Sequence, residues 1–106
     1  MASEQYSYVL TETAEADIEA AFDYKLSNPE AASSFADELA EKLEETCRAP
    51  KSGRPVQNPY LKRDGVRRVL VKNYIAYYLI DDAGMKIVVL RVVYNRRDQD
   101  KILKSV

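Results

Sequence analysis

An α+β domain is predicted, with a helical first half packed on a sheet formed by the second half. Three observations carry this. Apolar residues between Ala14 and Cys47 recur at helical spacing. Three of the four prolines fall between Pro50 and Pro59 and interrupt the pattern there. Beyond them come short apolar-rich runs separated by turns, ending in the stretch Ile87 to Leu90 and then Val92-Val93. At 106 residues the chain reads as a single domain, 1–106, with apolar material for one core.

Tyr6 to Leu10 alternates Tyr6, Tyr8 and Leu10 against Ser7 and Val9, as a short strand does. Thr11 or Thr13 is placed to cap the helix that follows, and Glu12, Glu15 and Asp17 load its first turns with negative charge. Its stripe is Ala14, Ile18, Ala21, Phe22 and Leu26. Asn28 as cap and Pro29 at the first helical position start a second helix, with the stripe Ala32, Phe35, Ala36, Leu39, Leu43 and Cys47. The tight link between the two predicts an antiparallel helix hairpin. Ala49 to Tyr60 is a predicted loop. Val66 to Lys72, Tyr74 to Ile80 and Met85 to Tyr94 then read as a three-stranded antiparallel meander, turning at Lys72-Asn73 and at Asp81 to Gly84. The near-continuous apolar run of the last strand marks it as central. Arg96 to Leu103 closes the chain as a short helix.

The net charge of −1 conceals a segregation. Met1 to Cys47 holds two basic and twelve acidic residues, a net −10, while Arg48 to Val106 holds fourteen basic and five acidic, a net +9. A basic half of this kind points to a polar partner, with nucleic acid first; the alternative is that the charges mix in space. The chain has no histidine and one cysteine, which speaks against a transition-metal site and against an intrachain disulfide. A reducing cytoplasm is the expected setting. No signal peptide, membrane span or cofactor is implied.

The basic residues cluster along the predicted meander. Arg67, Arg68 and Lys72 lie on or beside one strand, Arg91 sits inside the most apolar strand, and Arg96 and Arg97 follow it. They are expected to converge on the sheet face that the helices leave uncovered, where guanidinium forks match phosphate oxygens. Tyr74, Tyr77, Tyr78 and Tyr94 fall among them; they either stack on bases or pack in the core. Arg91, flanked by Leu90 and Val92, needs a groove or an acidic partner, either Asp98 or a carboxylate of the helices. Asp98 and Asp100 read as helix-capping or solvent-facing groups, Cys47 as core, and Gly53-Arg54-Pro55 lacks the pattern of a phosphate loop.

The run Leu90-Arg91-Val92-Val93-Tyr94-Asn95-Arg96-Arg97-Asp98 resembles the closing strand of the RelE/ParE superfamily of bacterial toxins. The likeness extends through Leu10, Thr11, Ala14, Asp17 and Ile18; through Ala31, Phe35 and Leu39; through Pro50 to Pro55; and through Arg68 to Tyr78. It implies the toxin of a type II toxin–antitoxin pair, held in tight complex by a cognate antitoxin. RelE-like members of the superfamily cut mRNA on the ribosome without a metal, whereas ParE-like members poison DNA gyrase. The first activity is the leading expectation, with Arg68, Arg91, Arg96 and Tyr94 as catalytic candidates and Arg67, Lys72, Tyr74 and Arg97 as nucleic-acid contacts. Gyrase inhibition and a non-toxic interaction module are the alternatives. Arg68 and Arg96 match basic positions of the RelE-like pattern, while Ile75 and Ile102 stand where an arginine and a tail tyrosine are common.

Overall fold

The structure, a computed structural model, describes residues 5–24, 28–57, 63–95 and 99–106. In chain order these form β1 (Ser7–Leu10), α1 (Glu12–Tyr24), α2 (Pro29–Arg48), a 3-10 turn (Pro50–Ser52), β2 (Arg54–Pro55), β3 (Arg67–Val71), β4 (Tyr74–Asp81), β5 (Lys86–Tyr94) and α3 (Gln99–Leu103).

Both long helices begin where local chemistry places them. The Thr11 hydroxyl accepts from the Ala14 N–H at 3.0 Å, and the Asn28 side chain accepts from the Ala31 N–H at 3.2 Å, with Pro29 next in line. Phe22 of α1 meets Phe35 of α2 edge to face, with ring centroids 5.8 Å apart. The buried Thr46 returns its hydroxyl to the Lys42 carbonyl at 2.7 Å, so a polar group enters the core satisfied.

The strands form one five-stranded sheet in the order β1-β5-β4-β3-β2. β5 is an interior strand between β1 and β4, in keeping with its apolar run, and β4 stands in the middle of the five. β1 joins it in parallel, and the other pairings are antiparallel. β2 lies inside the predicted loop: Arg54 pairs with Arg68 and Pro55 with Arg67. β3 and β4 are joined through Lys72-Asn73, where Lys72 takes a φ of 53°, in the left-handed region.

The sheet is covered on both faces. One core lies under α1 and α2 and includes Phe35, Leu43, Tyr74, Ala76, Tyr78, Val89 and Val92. The second lies under the chain's end, where Ile102, Leu103 and Val106 pack on Ile75, Tyr77, Leu90 and Val93. This narrows the expectation of an open basic face. The three apolar residues of the tail cover part of that face, while Arg68 and Leu70 stay exposed on it, and Tyr77 and Tyr78 are core residues on opposite sides of the sheet.

Candidate functional site

Strand alternation decides where the basic residues go. Arg67 pairs with Tyr78 and Arg68 with Tyr77, so the two adjacent arginines point to opposite faces. Arg67 turns toward the preceding loop, where its Nη1 donates to the Gly53 carbonyl at 2.7 Å and to the Lys51 carbonyl at 3.1 Å. Tyr78 anchors the same loop from beneath. Its hydroxyl donates to the Pro50 carbonyl at 2.6 Å and accepts from the Gly53 N–H at 3.0 Å. Burial pushes the Tyr78 phenol above its ordinary range; the Gly53 bond and the Arg67 charge offset only part of that. A side chain at position 53 would run into the Tyr78 hydroxyl and come within 2.8 Å of the Arg68 carbonyl, so this turn requires glycine.

Arg91 has the acidic partner that its apolar setting demands. Its Nε and Nη2 donate to the two carboxylate oxygens of Asp17 at 2.7 and 3.0 Å, a bidentate pair, and its Nη1 donates to the Ser105 hydroxyl at 2.6 Å. Asp17 also accepts from the Val92 N–H at 3.0 Å, taking up an edge donor of β5 beyond the end of β1. Asp17 is the helix carboxylate that the sequence left open against Asp98. Expected as a catalytic group, Arg91 ties β5 to α1 and to the tail.

Tyr74, expected as a base-stacking contact, is only 8 % exposed, and its ring lies 4.8 Å from that of Phe35. It offers no ring face to a nucleotide. Tyr94 packs edge-on against Tyr74 at 5.5 Å and is partly exposed at the end of β5. Lys72 stands exposed at the β3–β4 turn. Arg96 and Arg97 lie outside the described residues, as does Asp98.

What the structure does bring together is Arg68 with Arg54, a residue to which the sequence reading gave no role. They are direct cross-strand partners, both exposed, at the end of the sheet. Like charges placed opposite one another disfavour the pairing. Among the described residues the ion pairs are Arg91–Asp17 at 2.7 Å and Lys42–Glu45 at 3.9 Å, so no carboxylate neutralises either Arg54 or Arg68. Beside them, where β2 stops and β3 continues, an open groove of about 540 Å³ is lined by Arg54, Arg68, Leu70, Ile75 and Asn95, with Lys42 reaching in from α2. Leu70 is 56 % exposed in this groove. The signal for it was present but silent: Arg54 sits within the Pro50 to Pro55 stretch, and strand alternation places Arg68 and Leu70 on one face.

Among the described residues the groove combines two guanidinium groups without a carboxylate partner, an exposed leucine and a strand edge with no strand beside it after Arg68. It suits an acidic or phosphate-bearing partner. Cys47 lies away from this groove, buried beside Tyr6 and Tyr8, and burial raises its thiol, helped by Glu44. Among the described residues no cluster of histidine, cysteine, aspartate or glutamate is able to hold a metal ion, and no helix is long and apolar enough to cross a membrane.

A family model described as the ParE toxin of type II toxin–antitoxin systems, parDE, matches residues 8–99. The chain belongs to this family. It is the toxin of a type II toxin–antitoxin system, with the RelE/ParE fold. A chain of the chromosomal ParDE system of P. aeruginosa superposes with a TM-score of 0.68 at 24 % identity, covering 87 % of this chain and 98 % of that one. A chain of the RelBE2 toxin–antitoxin complex of Mycobacterium tuberculosis gives 0.58 at 24 % identity, covering 85 % and 98 %. No curated protein matches the chain significantly. In this ParE-family toxin the mixed sheet thus presents one basic edge; of the expected site residues, Arg91 is bonded to Asp17 and Ser105, and Tyr74 is buried against Phe35.

Proposed function

We propose that this toxin arrests growth by binding DNA gyrase without catalysis, using the basic edge of its sheet, and that a cognate antitoxin neutralises it in the cytoplasm by covering that edge. The observation that carries the reading is the engagement of Arg91 by Asp17 and Ser105. Cleaving RNA through its 2′-hydroxyl needs a base, in-line geometry and charge stabilisation at the phosphorane. A guanidinium already held by a carboxylate and a hydroxyl is a poor donor to a transition state, and Tyr74, buried against Phe35, is out of a substrate's reach. The ParE family match supports the same reading.

Ribosome-dependent mRNA cleavage is the second reading. The exposed Arg54–Arg68 pair favours it, since such a pair fits a phosphate. One experiment separates the two. The purified toxin is added to gyrase with relaxed plasmid and, separately, to translating ribosomes. The expected outcome is loss of supercoiling with intact mRNA, relieved when Arg54 and Arg68 are both replaced by glutamate. Position-specific cuts in mRNA with supercoiling undisturbed would overturn the proposal.

A further inference from the structure

Arg54 and Arg68 stand opposite one another on the groove although β2 does little to keep them there. β2 has two residues, and the pairing sets one guanidinium group against another, which disfavours it. One residue beyond Pro55, the Val56 N–H donates to the Val66 carbonyl at 2.9 Å. Bonded and non-bonded positions alternate along an antiparallel pair, so Pro55 falls where its missing N–H costs nothing. Arg54 and Arg68 then meet at a bonded position, with Cα atoms about 5.5 Å apart. Left to itself, so short and repulsive an end of the ladder would fray.

What holds it lies on the other face of the sheet. Arg67 and Tyr78 are cross-strand partners there, and Tyr78 is fully buried in the core under the helices. Between them they take both polar backbone groups of the buried Gly53. Its N–H donates to the Tyr78 hydroxyl at 3.0 Å, and its carbonyl accepts from Arg67 Nη1 at 2.7 Å. The Gly53 carbonyl and the Arg54 N–H belong to one planar peptide unit, so Arg67 fixes the plane from which Arg54 departs. Bonds from Tyr78 to the Pro50 carbonyl at 2.6 Å and from Arg67 to the Lys51 carbonyl at 3.1 Å hold the turn before it. A ring packed in a core cannot swing aside, so Tyr78 acts as a fixed post.

We propose that Arg67 and Tyr78 are positioning residues for the basic groove. Acting from the opposite face, they hold Arg54 beside Arg68 against their mutual repulsion, so that both guanidinium groups meet one acidic group of the target together. This rests on the reading of the basic edge as the surface that meets gyrase. Neither positioning residue touches the partner. Two guanidinium groups held in advance spend no ordering entropy when the partner arrives, and an anion between them relieves their repulsion. Loss of the post leaves every charge in place and removes only the geometry.

The test follows the arginine pair in the full chain, with Tyr78→Phe as the variant that alters no charge. In a titration with sodium sulfate, read by NMR at the arginine Nε–H signals, Arg54 and Arg68 of the wild type should respond along one shared curve. In Tyr78→Phe, at a temperature where its circular dichroism is native, the two curves should separate and weaken about fivefold. Tyr8→Phe should match the wild type. In binding to gyrase, Arg54→Gln and Arg68→Gln should be coupled in the wild-type background and additive in the Tyr78→Phe background. A merely structural role for Tyr78 would move the unfolding midpoint and leave that coupling intact. Arg67→Met, which frees the Gly53 carbonyl, should abolish the coupling as well, and it carries the test should Tyr78→Phe fail to fold. The proposal is overturned if the folded variant keeps the shared sulfate curve, or if the coupling survives in it. Absence of gyrase binding by the wild type would refute the gyrase reading alone, and the sulfate curves would then decide the positioning.

Discussion

Replacing Asp17 with alanine is expected to cost this protein about 3 kcal/mol, at the low end of the range for breaking a buried ion pair, because a little solvent reaches the site. The side chains of Arg91 and Asp17 are 14 % and 13 % exposed. The substitution strips Arg91 of two short bonds, leaving the Ser105 hydroxyl as the partner shown, and it strips the Val92 N–H of its acceptor. With a urea m-value of about 1.5 kcal/mol per molar, the unfolding midpoint should fall by roughly 2 M. A second substitution makes the cause visible. Arg91→Met removes the stranded charge and fills similar space, so the double variant should be about 1 kcal/mol or more stabler than Asp17→Ala alone. Circular dichroism in urea measures all three proteins. A loss below about 1 kcal/mol for Asp17→Ala, or a double variant no stabler than the single, would refute the assignment of Arg91 to the fold. Arg91→Met should also keep growth arrest; arrest lost with the midpoint retained would return Arg91 to the target site.

Tyr78→Phe leaves the Pro50 carbonyl and the Gly53 N–H without the partner they share, and should cost about 2 kcal/mol in the same urea assay. It should also speed proteolysis of the loop around Gly53, while Tyr8→Phe, at the far edge, should do neither. The alkaline limb of stability follows from Tyr77 and Tyr78, both raised by burial, in Tyr77 against a small lowering by Arg68. Between their unfolded and folded pKa values the unfolded chain has lost these protons while the native state keeps them. Their contribution is therefore fully present below about pH 10 and drains away as pH rises beyond it. Titrating tyrosinate absorbance against the urea midpoint checks this, and a midpoint unchanged across that window would count against it.

The parts of the fold visible in the sequence are those decided locally. Thr11 and Asn28 cap helices because the groups they bind are three residues away. The interior place of β5 shows in its own apolar run. The two-residue β2 carries no such pattern; it is held by Arg68 and by the Val56 N–H bonding the Val66 carbonyl, both supplied from beyond the loop. Arg91 announced that it needed a partner but not which, since Asp17 lies 74 residues away. The basic cluster divides in the structure, because Arg67 and Arg68 are neighbours in sequence and opposites in space. The covering of the second face was legible in principle, as Ile102, Leu103 and Val106 are the apolar positions of a polar tail.

The parallel pairing of β1 with β5 also sets a clock. Ser7 must wait for Lys86 before its strand has a neighbour, and Thr11 for Leu90, 79 residues later. At about 5–20 residues per second, that wait is roughly 4 to 16 s of synthesis. Until then Arg91 has not met Asp17, and β4 lacks the strand that separates it from β1. The sheet of the nascent chain is thus completed only near the end of its own translation, late and all at once.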